Sequence, residues 1–172
     1  MNLTNLLSSK KDDILKKWFD EILSVYPVQT SNFLKTQKDP FANPIGQTIF
    51  HGIEDIFNEI LSSETDSKNI SSFLENVIRI SAIQEFTASK AMGFIFSLKK
   101  AVKDALKEEI NEGRLYPELL ILDDRIDKIA LLSFDIYMNS REALYDIKAN
   151  EVKNMTFNLL RRANLVTEVK EE

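Results

Sequence analysis

After Pro117 the chain carries neither glycine nor proline, so nothing along its last third interrupts a helix. Apolar or small residues recur at Leu122, Ile126, Ile129, Ser133, Ile136, Ser140, Leu144 and Ile147. That spacing of three and four places them on one helical face and predicts that the face is buried. A helix of roughly fifty residues reaches about 75 Å, whereas a compact domain of this length is only about 40 Å across. Part of the helix is therefore expected to project from its own domain, as a connector to a partner, a second subunit or an output module.

The remaining sequence fills in a helical body. Four glycines in the whole chain are too few for the turns of a many-stranded sheet, and Gly46, Gly52, Gly93 and Gly113 fit no phosphate-cradling loop. A first helix is predicted over Lys10 to Tyr26, built on Ile14, Leu15, Trp18, Phe19, Ile22 and Leu23 and stopped where Tyr26 precedes Pro27. A short helical turn follows at Ser31 to Thr36. Asn43 before Pro44 pairs a capping side chain with proline at the first helical position and opens the next helix. Ser62 to Ser67 should break that helix, and a third runs from about Lys68 to Phe86. Thr87 or Ser89 caps a fourth through Ala91, Phe94, Ile95, Leu98, Val102, Leu106 and Ile110, separated by Gly113 and Pro117 from the long one.

Composition excludes several functions. With 44% hydrophobic residues in 172, the chain can bury one core, and a single domain is expected over residues 1–163, with 164–172 as a charged tail. A net charge of -5, with 22 basic residues scattered among 27 acidic ones, leaves no basic stripe for nucleic acid. The absence of cysteine removes disulfides, thiolate metal sites and a cysteine nucleophile. Met1 to Ser9 lacks the cationic start and apolar run of a signal peptide, and no apolar stretch is long enough to insert in a membrane. A cytoplasmic location is the expectation.

Three groups of residues could carry chemistry. His51 has Glu54 and Asp55 three and four residues on, within reach of one divalent cation. A single histidine cannot build a His-rich site, however, and the paired Glu-x-x-His motifs of di-iron bundles are missing, so an ordinary half-exposed histidine is expected. The segment Asp123 to Asp127, DDRID, matches the Asp-Asp-x-x-Asp pattern that holds magnesium and a diphosphate. Such enzymes need a larger cavity and a second metal motif, so pairing of these acids with Arg125, Lys128 or polar groups of neighbouring helices is the expectation. Among the charges that interrupt apolar segments, Arg79 beside Ile78 and Asp135 beside Ile136 are predicted to form a buried or semi-buried ion pair. No Ser, His and acid combination specifies a nucleophile, and no catalytic residue, cofactor or metal is assigned.

The segments KKWFDEILSVYP, FLKTQKDPFANPIG, VIRISAIQEFTASKAMGFIFSLKKAV and LDDRIDKIALLSFDIYMNSREALYDIKANEVK, in that order and over about residues 5 to 155, resemble the RsbRD-type N-terminal domain. That family stands at the front of RsbT co-antagonists, the stressosome-type regulators. The resemblance implies an all-α sensory or regulatory domain. Related stressosome sensor domains are globin-like and dimeric, bind no haem, and signal through a C-terminal helix to a STAS domain. Some globin-like relatives hold a fatty acid where haem would sit. The family brings no catalytic residues with it. Because no STAS or kinase module follows Arg161 and Arg162, the chain is expected to act by association, with a STAS-type or kinase-type regulatory protein as a candidate partner.

The expected architecture is thus all-α, a globin-like helical bundle of about five to six helices with a long protruding C-terminal helix. Beyond Ile147 the apolar stripe rotates, because Val152, Met155, Leu159 and Val166 no longer keep the earlier phase, and a rotation of phase marks a change of partner. Ile147, Val152, Met155 and Leu159 are predicted to form a homodimer seam, with Asn150, Asn154 and Asn158 nearby to fix its register. The competing function is a small-molecule carrier, in which Phe94, Ile95, Leu98, Phe134 and Tyr137 line a lipid-sized apolar pocket.

Overall fold

The computed structural model describes residues 2–62, 67–111 and 115–165, the side chains of 67–69 excepted. The described residues form eight α-helices and no strand: α1 (Leu3–Ser9), α2 (Lys11–Leu23), α3 (Val28–Thr36), α4 (Pro44–Leu61), α5 (Ser67–Ile83), α6 (Ala88–Ala105), α7 (Lys107–Asn111) and α8 (Tyr116–Arg162). The two beyond the predicted number are short, α1 with seven residues and α7 with five. Asn2 caps α1 by accepting from the Asn5 N–H, and Lys10, with φ -108° and ψ 13°, separates α1 from α2.

Helix starts follow the sequence signals. Asn43 accepts from the Gly46 N–H at 2.9 Å while Pro44 occupies the first turn of α4, where a missing N–H costs nothing. The same side chain donates to the carbonyls of Leu34 and Gln37, both at 2.9 Å, and so ties the end of α3 to the start of α4. Thr87 caps α6. The break predicted from Ser62 begins there, residues 63–66 lying outside the described ones, as does Gly113.

The core gathers where α2 crosses α6, α4 packs on α5, and α5 and α6 flank α8. Trp18, Ile53, Ile56, Phe57, Leu74, Ile78, Ile95 and Leu98 are buried there. Burial of an indole requires a partner for its N–H. Trp18 finds one in the carbonyl of Phe94, at 2.6 Å, and stacks on the Phe94 ring with 6.4 Å between centroids.

The long helix has 47 residues and a length of about 70 Å. Leu122, Ile126, Ile129 and Ser133 are buried, Ile136, Ser140 and Leu144 half-buried, and every described residue after Leu144 is exposed. The chain therefore carries a rod that leaves the body, as the uninterrupted periodicity predicts. It ends in a left-handed cap at Asn164, φ 55°, with Asn164 N–H bonded to Arg161 O at 3.1 Å and Leu165 N–H to Leu160 O at 2.9 Å. Of the predicted tail, residues 166–172 lie outside the described ones, Val166 among them.

Candidate interaction surface

The residues singled out for chemistry are exposed or paired with neighbouring side chains. His51 is exposed on α4, and its neighbour Glu54 pairs with Lys11 at 2.9 Å. Among the described residues no group of three or more His, Cys, Asp or Glu side chains is gathered for a metal ion. In DDRID, Asp127 pairs with Lys99 at 2.7 Å, and Asp123 lies 3.8 Å from Lys99 and 3.7 Å from Lys103, which fastens α8 to α6. Asp124 meets Lys128 at 3.5 Å along the helix surface. Arg125 donates to the carbonyls of Ile60 and Ser62 at 2.9 and 3.1 Å and closes the end of α4.

The predicted Arg79–Asp135 ion pair is not formed. Both residues are exposed: Asp135 sits about 100° around α8 from Ile136 and clears the interface, while Arg79 borders the groove between α5 and α8 without meeting Asp135. Arg141, like Arg125, does reach inward from α8. It donates to Ala82 O at 3.2 Å and to the Tyr145 hydroxyl at 2.8 Å, with its guanidinium 4.9 Å from the Tyr145 ring centroid.

Ala82 belongs to the turn that ends α5, where three side chains of α8 converge. Glu85 adopts φ 57° there, and the N–H groups of Glu85 and Phe86 bond the carbonyls of Ala82 and Ser81, both at 3.2 Å, in a Schellman arrangement that favours glycine at the position Glu85 occupies. Tyr137 donates its hydroxyl to Phe86 O, and Lys148 meets the Glu85 carboxylate at 2.8 Å. Tyr26, at the end of the α2 segment, donates to Gln84 at 2.7 Å and sets its ring edge-on to Phe86. The bond from Lys148 and the charges of Lys148 and Arg141 hold the Glu85 carboxyl below its usual pKa. Burial pushes the Tyr26 phenol upward against a smaller opposing effect of its bond to Gln84.

The five residues predicted to line an apolar pocket do not share one space. Phe94, Ile95, Leu98 and Tyr137 are buried in the core, whereas Phe134 is 44% exposed on α8. Phe134 instead belongs to a face of which the sequence reading found only the far end, Val152, Met155 and Leu159. Leu131, Met138, Tyr145, Val152 and Leu159 follow one another at intervals of seven residues, all between 39% and 70% exposed, and Phe134 and Met155 stand three residues after members of the set. The signal was present in the sequence, but the stronger inward stripe of α8 masked the rest of it.

That face sorts the predicted seam. Val152, Met155 and Leu159 lie on it. Ile147 lies about 140° around from Val152, where it borders a groove of about 370 Å³ between α5 and α8 together with Ile83, Ile136 and Leu144. Of the asparagines predicted to fix register, Asn150 and Asn154 each lie about 160° from Val152, on the opposite side of the helix, whereas Asn158 stands about 60° from Met155, beside the row.

A helical body with an exposed apolar face running on into a projecting helix suits a domain that works by contact. A family model, that of the RsbT co-antagonist protein rsbRD N-terminal domain, matches residues 12–152. The chain belongs to this family. The match takes in this RsbRD-type domain from α2 to the rod, including Trp18, the Asn43–Pro44 start of α4, the turn at Glu85 and DDRID. Neither the search of curated proteins nor that of solved structures gives a match. No described helix of the RsbRD-type domain is long and apolar enough to cross a membrane.

Proposed function

We propose that the chain is a non-enzymatic sensory and regulatory domain of the stressosome type, acting in the cytoplasm by pairing with a second copy through α8 and presenting the far end of that helix to a regulatory partner of the STAS or kinase kind. Membership of the RsbRD family supports the regulatory role. The globin-like arrangement implied by the resemblance belongs to the same reading.

The observation that carries the pairing is the seven-residue set from Leu131 to Leu159. Fully burying one such side chain contributes about 1.5–3 kcal/mol. A repeat of seven turns such residues toward a second helix along its whole length. Exposed apolar rows of this extent mark interaction surfaces.

Because the chain has no cysteine, a single Val152→Cys variant tests the seam directly. Mild oxidation should link two chains, and light scattering of the unsubstituted protein should give twice the chain mass. A Val152→Asp, Leu159→Asp variant should be monomeric with unchanged helical content. A monomeric parent protein at high micromolar concentration refutes the proposal.

A further inference from the structure

A second cleft, of about 300 Å³, lies between the end of α2, the end of α5 and the start of α6, at the lower end of the range of roughly 300–1,000 Å³ for small-molecule pockets. Its apolar lining includes Val77, Phe94 and the mutually edge-on rings of Tyr26 and Phe86, 5.4 Å apart. Lys90 stands at the rim with its ammonium 6.0 Å from the Phe86 ring centroid and no carboxylate partner among the described residues. Glu21, the acid at the same rim, is held by Lys100 at 2.6 Å.

Gly93, itself exposed, borders the cleft. It sits inside α6, where glycine costs about 1 kcal/mol relative to alanine, yet a Cβ there would meet nothing within 4 Å. Packing within the chain does not require a glycine at this position. A longer side chain here would stand at the mouth of the cleft.

We infer that this cleft binds a small aromatic organic anion, its flat body against Phe86 and Tyr26 and its charge on Lys90, and that Phe86 passes occupancy to α8. The cleft and the rod share that residue. Its ring lines the cleft while its carbonyl accepts the Tyr137 hydroxyl, and its neighbour Glu85 holds Lys148 at the base of the rod. A ligand that prefers one placement of Phe86 biases the turn and, through it, the rod. The relay rests on the reading of α8 as the output helix, whereas the binding does not.

The probe is an anilinonaphthalene sulfonate dye, an aromatic anion whose fluorescence rises in apolar surroundings. Saturable binding of one dye per chain is expected, weakened at least tenfold by Gly93→Met, which obstructs the mouth of the cleft, and by Lys90→Glu, and unchanged by Lys99→Ala. Circular dichroism checks that each variant keeps its helices. Absence of saturable binding, or binding indifferent to Gly93→Met, overturns the site. Hydrogen exchange then reads the relay: dye should change the protection of Glu85, Phe86 and residues 145–152 in the parent but not at the rod in Tyr137→Phe, which still binds dye. Dye binding that leaves the rod's exchange unchanged in the parent overturns the relay alone. Since the dye is read on each chain separately, failure of the dimer seam leaves both arms interpretable.

Discussion

Lys148 Nζ lies 2.8 Å from a carboxylate oxygen of Glu85, the residue that ends α5 in the left-handed backbone region at φ 57°. The contact joins the base of the projecting helix to the strained end of a packed one. A non-glycine residue pays a steric penalty in that region, and an exposed ion pair returns little of it.

Glu85→Gly is therefore expected to raise the thermal midpoint by a few degrees, because glycine enters the left-handed region freely. Lys148→Gln should leave the midpoint nearly unchanged and return the Glu85 carboxyl toward its ordinary pKa of 4.5. Scanning calorimetry checks the first outcome and an NMR titration of the Glu85 side chain the second. The sign is that of a lowered carboxyl: any stability it adds is present above the ordinary value and is lost as pH falls through the depressed one.

Asn43 is 1% exposed and makes three hydrogen bonds, one as acceptor and two as donor. Asn43→Ala should cost about 2–4 kcal/mol in urea unfolding, the sum of a lost cap and unsatisfied carbonyls. Asn43→Asp should cost a comparable amount although aspartate is a good cap. Its carboxylate would face the carbonyls of Leu34 and Gln37 and could donate to neither. Full stability in the aspartate variant would show that the two donated bonds contribute nothing.

The two apolar sides of α8 are expected to behave differently. Val152→Glu should dissociate the pair at micromolar concentration, while Ile147→Glu, placed toward the α5 groove, should leave it intact. Sedimentation of the two variants side by side separates them. Equal dissociation by both would mean that the seam wraps the rod rather than following one line.

Tyr26 gives an alkaline signature. Burial raises its phenol above the ordinary 10.0, so its contribution to stability is fully present below that value and is lost as pH rises through the raised one. Urea midpoints from neutral pH to about pH 11 should fall less steeply at the alkaline end in Tyr26→Phe than in the parent.

The parts of this fold that depend on neighbours in sequence were legible before the structure. Asn43–Pro44 and Thr87 announce helix starts because a cap is made within three residues, and the stripe from Leu122 to Ile147 announces burial because helical geometry fixes which side chains share a side, although its last member, Ile147, lies past the body and is 63% exposed. The end of α5 was not legible. A glutamate has no local reason to adopt φ 57°, and the groups gathered on that turn come from Tyr26, Tyr137, Arg141 and Lys148, distant in the chain. The Arg79–Asp135 pairing failed for a related reason: adjacency to Ile136 places the Asp135 side chain a quarter-turn or more away from the interface. Phe134 is apolar enough for a pocket, but its distance of three residues from Leu131 puts it on the outer row.

The unbroken hydrogen bonding of α8 makes it a lever. Arg162 stands eighteen residues beyond Leu144, the last half-buried residue of α8, or about 27 Å along the axis. A tilt of about one degree at that fulcrum would swing the tip by about half an ångström, given this rise per residue. Displacements too small to repack the interior thus become positional changes where another molecule could feel them.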